Sequence, residues 1–308
     1  MNIRYIKYKD IDLQRWDHCI SQAFNGNIYG YSWYLDSVCE HWDALIEGDY
    51  DRVFPLVYRK KYGISYLYQP FLSQQLGLYS RPDLNPGIVD SFLGNIPEHY
   101  KLIEIQLNQY NKPSHRDFQV RMRLNLELDL IQSYKDLNVR YSQNLKRNLK
   151  QAVREGWIIQ NDLKITELIK LFRENRGRDI ENLRDDDYRR LTYVCESCIR
   201  RGSLITLAAN DRQGTLHAGV IFARSHHKVI LLFSATDSVA RQKGGMPLLI
   251  DTVIQQFSGS ALTLDFEGSE DENLARFYKS FGATESYYPF IRKDTLPQFA
   301  RLIHKIFS

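Results

Sequence analysis

Residues 262–283 read LTLDFEGSEDENLARFYKSFGA. Leu262, Leu264 and Phe266 alternate with Thr263 and Asp265, the period of a strand with one buried face. An acidic turn broken by Gly268 and Ser269 follows. A short helix then ends in Phe277-Tyr278-Lys279-Ser280-Phe281-Gly282, with glycine where a helix C-terminus favours it.

The chain around this unit has 308 residues, too many for one hydrophobic core, so two domains are expected. Hydrophobic residues make up 43% and charged residues 25%, the balance of a soluble globular protein. The net charge of +4 is compatible with anionic partners such as coenzyme A, tRNA or lipid phosphates, and does not require them. Cys195 and Cys198 have the spacing of a metal pair, but no second pair or nearby histidine completes a zinc set. They read as core thiols one helical turn apart, in a chain kept in a reducing cytoplasm. MNIRYIKYKD at the start has no signal-peptide apolar run, and no window is a membrane span.

Working back from residue 262, a helix is expected over 247–257 and strands over 229–234, 217–223 and 204–209. Two helices precede them, over 186–201 and 165–174. Before these, YSQNLKRNLKQAVRE (141–155) is a basic helix closed by Gly156. Its apolar stripe is read as Leu145, Leu149 and Val153, with Lys146, Arg147, Lys150 and Arg154 on the remaining surface. RMRLNLELD (121–129) alternates as a strand. The first part reads as two helices, a three-strand meander over 42–68, a helix at 86–93 and a strand at 102–107.

The strand, loop and helix ending Tyr278-x-x-x-Gly282 resemble the last βα unit of the GNAT acyltransferase superfamily. The wording Asp265-Phe266-Glu267-Gly268-Ser269, the 141–155 helix, and Gln69-Pro70-Phe71 with Gln74-Gln75-x-Gly77 resemble the FemAB-like branch, which carries two GNAT folds in tandem. The resemblance implies an α+β fold with mixed, mostly antiparallel sheets flanked by helices. It implies a degenerate N-terminal domain over 1–125, serving as an acceptor-side wall, and a catalytic domain over 126–308. The last helix, 296–307, would pack back on the first domain.

It also implies an acyltransferase in which an amine or hydroxyl attacks the donor directly, without a metal. The GNAT donor loop, (Gln/Arg)-x-x-Gly-x-(Gly/Ala), corresponds to Arg241-Gln242-Lys243-Gly244-Gly245-Met246, with Ser234 on the strand before it. Helix N-termini suit phosphate because their first N–H groups are unpaired. Tyr278 corresponds to the tyrosine that protonates the leaving group; its plain alternative is a core aromatic. Asp265 and Glu267 are candidate bases, and Glu267 reads equally as a capping carboxylate. Lys146, Arg147 and Lys150, with Tyr68, Gln69 and Gln74, are candidate substrate contacts.

The preserved loop position favours acyl-CoA as the donor. Met246 in place of Gly/Ala, and Asp271 in place of the family's CoA-contacting asparagine, favour aminoacyl-tRNA. A non-catalytic binding module is the third reading.

Overall fold

The computed structural model describes residues 2–180, 183–268 and 271–297. The chain divides into two compact units, one formed by Met1–Arg123 with Tyr287–Ser308, the other by Leu124–Ser286.

In the first unit the elements run β1 (Ile3–Ile6), α1 (Leu13–Gln22), α2 (Ser32–Val38), β2 (Trp42–Glu47), β3 (Arg52–Lys61), β4 (Ile64–Tyr68), β5 (Tyr79–Ser80), α3 (Pro86–Gly94) and β6 (Tyr100–Gln106). Asp12 starts α1 by accepting the N–H groups of Gln14 and Arg15, each at 3.1 Å. β2 to β4 form the expected three-strand antiparallel meander, and β1 pairs antiparallel with β2 at its edge. β6 returns parallel to β4, as a helical crossover requires. Leu45, Phe54, Leu56, Leu67, Phe92 and Ile105 fill the core between this sheet and α3.

In the second unit β7 (Gln119–Asp129) leads to α4 (Tyr134–Val139), α5 (Gln143–Glu155), β8 (Ile158–Gln160), α6 (Ile165–Glu174) and α7 (Asp185–Arg200). There follow β9 (Leu204–Asn210), β10 (Leu216–Ser225), β11 (Lys228–Thr236), α8 (Ser238–Gln242), α9 (Gly245–Phe257), β12 (Thr263–Asp265) and α10 (Glu272–Lys279); β13 (Thr284–Asp294) then returns the chain to the first unit, pairing antiparallel with β6. The strands lie in the order β7-β12-β11-β10-β9-β8. Every pair is antiparallel except β11 with β12.

Alternation divides this sheet's side chains between two layers. Leu126, Leu128, Val220, Phe222, Val229, Leu231 and Leu264 face one core, shared with α5, α9 and α10. Gly219, between Ala218 and Val220, faces the other way, against Leu163 and Leu168 at α6.

Two sequence readings change. The buried stripe of α5 is Leu145, Leu149 and Ala152, while Val153 is 70% exposed. Seven residues make almost two helical turns, whereas eight overshoot by about 80°. The segment 241–246 is not a plain loop either: α8 runs through Gln242 and only Lys243 and Gly244 separate it from α9. α4 and α8, both short, were not anticipated. Residues 298–307 of the expected final helix lie outside the described residues.

Candidate functional site

β11 and β12 pair over three residues only, Lys228 with Thr263 through Ile230 with Asp265. Beyond that register β11 continues to Thr236 while β12 stops. The stop is local chemistry: Glu267 takes a left-handed backbone, φ 58°, unusual for a residue with a side chain. Its N–H turns back to Asp265 Oδ1 at 3.0 Å, and the Phe266 N–H goes to Leu126 O on β7. Two parallel strands therefore part at Asp265, and β11 runs on from Leu231 to Thr236 without β12 beside it. Ser234 lies in that stretch of β11, half-buried and opposite Val220.

Asp265 sits at the point of divergence and is 4% exposed. Its Oδ2 accepts from Lys228 Nζ at 2.6 Å and its Oδ1 from Asn125 Nδ2 at 3.0 Å. Lys228 also donates to Glu127. Burial alone would lower the Lys228 pKa, but Asp265 and Glu127 together hold the ammonium above its usual value. Both oxygens of Asp265 are thus engaged within the protein. Sequence reasoning missed Lys228, Glu127 and Asn125. The alternation of β7 was the available signal, since it sets Asn125 and Glu127 opposite the Leu124, Leu126 and Leu128 face.

Glu267 is half-buried just past the point of divergence. Tyr278, on α10, is 5% exposed and stacks on Phe266 with centroids 4.7 Å apart and planes at 20°. Burial, and then the charge of Glu267, push its phenol well above the ordinary tyrosine value. It is part of the core, and among the described residues none hydrogen-bonds its hydroxyl.

The segment ahead of α9 is clasped to α5. Gly244 has φ 73°, and a Cβ there would lie 2.6 Å from Asn148 O and 3.1 Å from Ala152 Cβ. A Cβ on Gly245 would lie 2.8 Å from that of Ala240. The Gln242 and Lys243 carbonyls accept from Gln151 Nε2 (3.2 Å) and Trp157 Nε1 (3.1 Å). Lys243 Nζ pairs with Glu155 at 2.9 Å. The Arg241 and Lys243 N–H groups are spent on Asp237 O and Val239 O. Pro247 has no N–H, which leaves the N–H groups of Gly244, Gly245 and Met246 as the unpaired donors, among the described residues, at the start of α9. The Arg241 side chain is exposed, as is that of Gln242.

A latch supports the same segment. His217 Nδ1 lies 2.7 Å from Asp237 Oδ2 and Nε2 lies 3.2 Å from Asp211 Oδ2. Burial would lower the His217 pKa, but the two carboxylates raise it overall. Asp237 in turn caps α8 through the Ala240 N–H at 2.8 Å.

Asp271 is the N-cap of α10, accepting the N–H groups of Asn273 (2.9 Å) and Leu274 (3.3 Å). Asn and Asp cap about equally well, so the exchange of one for the other is accounted for by the helix start.

The remaining candidates are dispersed. Lys146, Arg147 and Lys150 lie on the solvent side of α5. In the first unit Gln69 binds Ser73 O (2.5 Å) through Nε2 and the Gln106 N–H (2.9 Å) through Oε1, pinning its own turn. Gln74 is buried and accepts from Gln75 at 2.8 Å. The Tyr68 ring lies under Arg59 at 4.2 Å. Cys195 and Cys198 are buried free thiols, pushed by burial to about 12 and about 11. Among the described residues no cluster of three or more His, Cys, Asp or Glu is placed to hold a metal, and no helix is long and apolar enough to cross a membrane.

No protein-family model matches the chain, and no curated protein matches it by sequence. Solved structures do. FemX is 13% identical over the whole of both chains, with a TM-score of 0.68. L-PGS from Bacillus licheniformis is 12% identical over 96% of each chain, with a TM-score of 0.55. A tandem GNAT protein from the clavulanic acid biosynthesis pathway is 10% identical, covering 96% of this chain and 100% of its own, with a TM-score of 0.51. The fold is a FemAB-like tandem GNAT fold of mixed α and β structure with mainly antiparallel pairing.

Proposed function

We propose that the chain is an acyltransferase whose donor is an aminoacyl ester carried on tRNA, and whose acceptor is an amine. The observation that supports this reading is the parting of β11 and β12 at Asp265, and the acyl group is proposed to lie there, beside Glu267 and Tyr278. The donor choice rests on the segment before α9. The space that Gly244 and Gly245 save is filled by Asn148, Ala152 and Ala240, and Pro247 removes one phosphate donor. These features leave a CoA pyrophosphate the Gly244, Gly245 and Met246 N–H groups as its backbone partners.

Tyr278 is assigned as the proton donor to the departing ribose oxygen, which spares it from leaving as a free alkoxide. In the proposed step Glu267 accepts a proton from the acceptor ammonium. The freed amine nitrogen forms a bond to the ester carbonyl carbon. The tetrahedral intermediate collapses by breaking the bond to the ribose oxygen, which takes its proton from Tyr278, and the extra proton on the new amide nitrogen restores the Tyr278 phenol. Asp265 is assigned to hold the strand end through Lys228.

Acyl-CoA is the second reading, favoured by the position of Gly244 and Gly245 directly ahead of α9. Transfer from tRNA charged with a radiolabelled amino acid to a panel of free and peptidyl amines tests the proposal. Label moving to an amine in wild type and not in Tyr278→Phe is the expected result. Transfer only from acetyl-CoA selects the second reading, and transfer from neither donor leaves a binding module.

A further inference from the structure

We propose that the solvent face of α4 and α5 is a docking surface for an anionic phospholipid membrane, separate from the proposed acyl site. Between residues 135 and 154 stand six cations: Lys135, Arg140, Lys146, Arg147, Lys150 and Arg154. All are exposed except the half-exposed Lys146, and among the described residues none has a carboxylate within ion-pair distance. Several other arginines and lysines of the same unit are paired, as Arg173 is with Asp185, Arg190 with Asp186 and Lys279 with Glu285. Glu155, at the end of α5, is taken by Lys243.

Helix geometry separates these charges from the donor segment. Asn148 and Ala152 are the residues of α5 that touch Gly244. Successive residues are about 100° apart around a helix, so Lys146 and Lys150, two positions before them, point about 200° away. Their charge faces solvent rather than the α9 N-terminus.

Two apolar side chains lie within this basic surface. Val153 is 70% exposed and sits two turns along from Lys146 on the same line of α5. Val139, at the end of α4, is 69% exposed, and its carbonyl accepts from Lys146 Nζ at 3.0 Å, which fixes it beside that cation. Exposed methyl groups flanked by lysine and arginine match a charged headgroup layer over an acyl boundary. A nucleic-acid duplex offers the same phosphate charge but no apolar counterpart.

Co-sedimentation of the full chain with vesicles of equal phosphatidylglycerol and phosphatidylcholine tests this. Binding is expected to the mixed vesicles and not to phosphatidylcholine alone, and to be lost between 50 and about 500 mM salt as screening tightens. Each cation removed weakens binding ~fivefold, so Lys146→Gln, Lys150→Gln and Arg154→Gln together lower it ~100-fold. Val139→Ser with Val153→Ser lowers it severalfold while the melting temperature is kept. Arg189→Gln on α7, whose partner is Asp186, leaves it unchanged. Equal binding to both vesicle types, or no loss in the triple variant, overturns the proposal. So does wild-type vesicle binding by the valine variant together with displacement by duplex RNA, which makes the face an RNA site.

Discussion

Gly244 meets the backbone of Asn148 so closely that a Cβ on it would stand 2.6 Å from the Asn148 carbonyl oxygen. The backbone is also left-handed there, at φ 73°. Two demands that only glycine meets fall on one residue, and both come from packing between helices. Gly244→Ala is expected to cost ~2 kcal/mol or more, measured by urea unfolding. Met246→Ala, at a half-buried neighbour, should cost less. Equal stability of Gly244→Ala and wild type would mean that the contact relaxes without cost.

The buried cation at the strand divergence carries a second prediction. Lys228→Met leaves Glu127 and Asp265 side by side without their shared ammonium. Breaking such a pair by removing one partner costs ~3–5 kcal/mol. Denaturant unfolding should show a loss of that order, and any activity should fall with the folded fraction.

His217 predicts a pH dependence. Its folded pKa is raised by Asp237 and Asp211 above the ordinary histidine value near 6.5. The protonated ring is therefore favoured by folding, and its contribution is complete below ~6.5. That contribution is lost as pH rises through the higher folded value. The stability difference between wild type and His217→Asn should thus be largest near pH 6 and shrink by pH 9. A difference that grows with pH would contradict the latch.

Asp271→Asn should leave stability within ~0.5 kcal/mol, whereas Asp271→Ala should cost ~1 kcal/mol through loss of the α10 cap. Thermal unfolding of the two variants side by side decides this. A large loss in the asparagine variant would give the carboxylate charge a role beyond capping.

Tyr278→Phe keeps the ring stacked on Phe266 and removes only the hydroxyl, which no described residue binds. Turnover is expected to fall ~100-fold with little change in melting temperature. A drop in stability without a drop in turnover would make Tyr278 a packing residue alone.

The elements were largely legible because their signals are local. The alternation at Leu262–Phe266 and Gly156 closing α5 each announce themselves within a few residues. α8 was missed because five residues hold too little periodicity to separate from a loop. Val153 was misassigned because helical drift over eight residues moves it off the buried stripe.

The Lys228, Glu127 and Asp265 cluster could not be read from spacing, since its members come from three strands far apart in sequence. The reason for Gly244 was hidden in the same way. A glycine before a helix reads as a phosphate cradle until the helix packed against it, α5, is in view.

Calorimetric titration of the full chain with acetyl-CoA and with a stable amide analogue of aminoacyl-tRNA tests the donor assignment most directly. Saturable heat with the tRNA analogue, and none with acetyl-CoA up to millimolar concentration, is the predicted result. Saturable binding of acetyl-CoA that Gly244→Ala abolishes, with no response to the tRNA analogue, would contradict it.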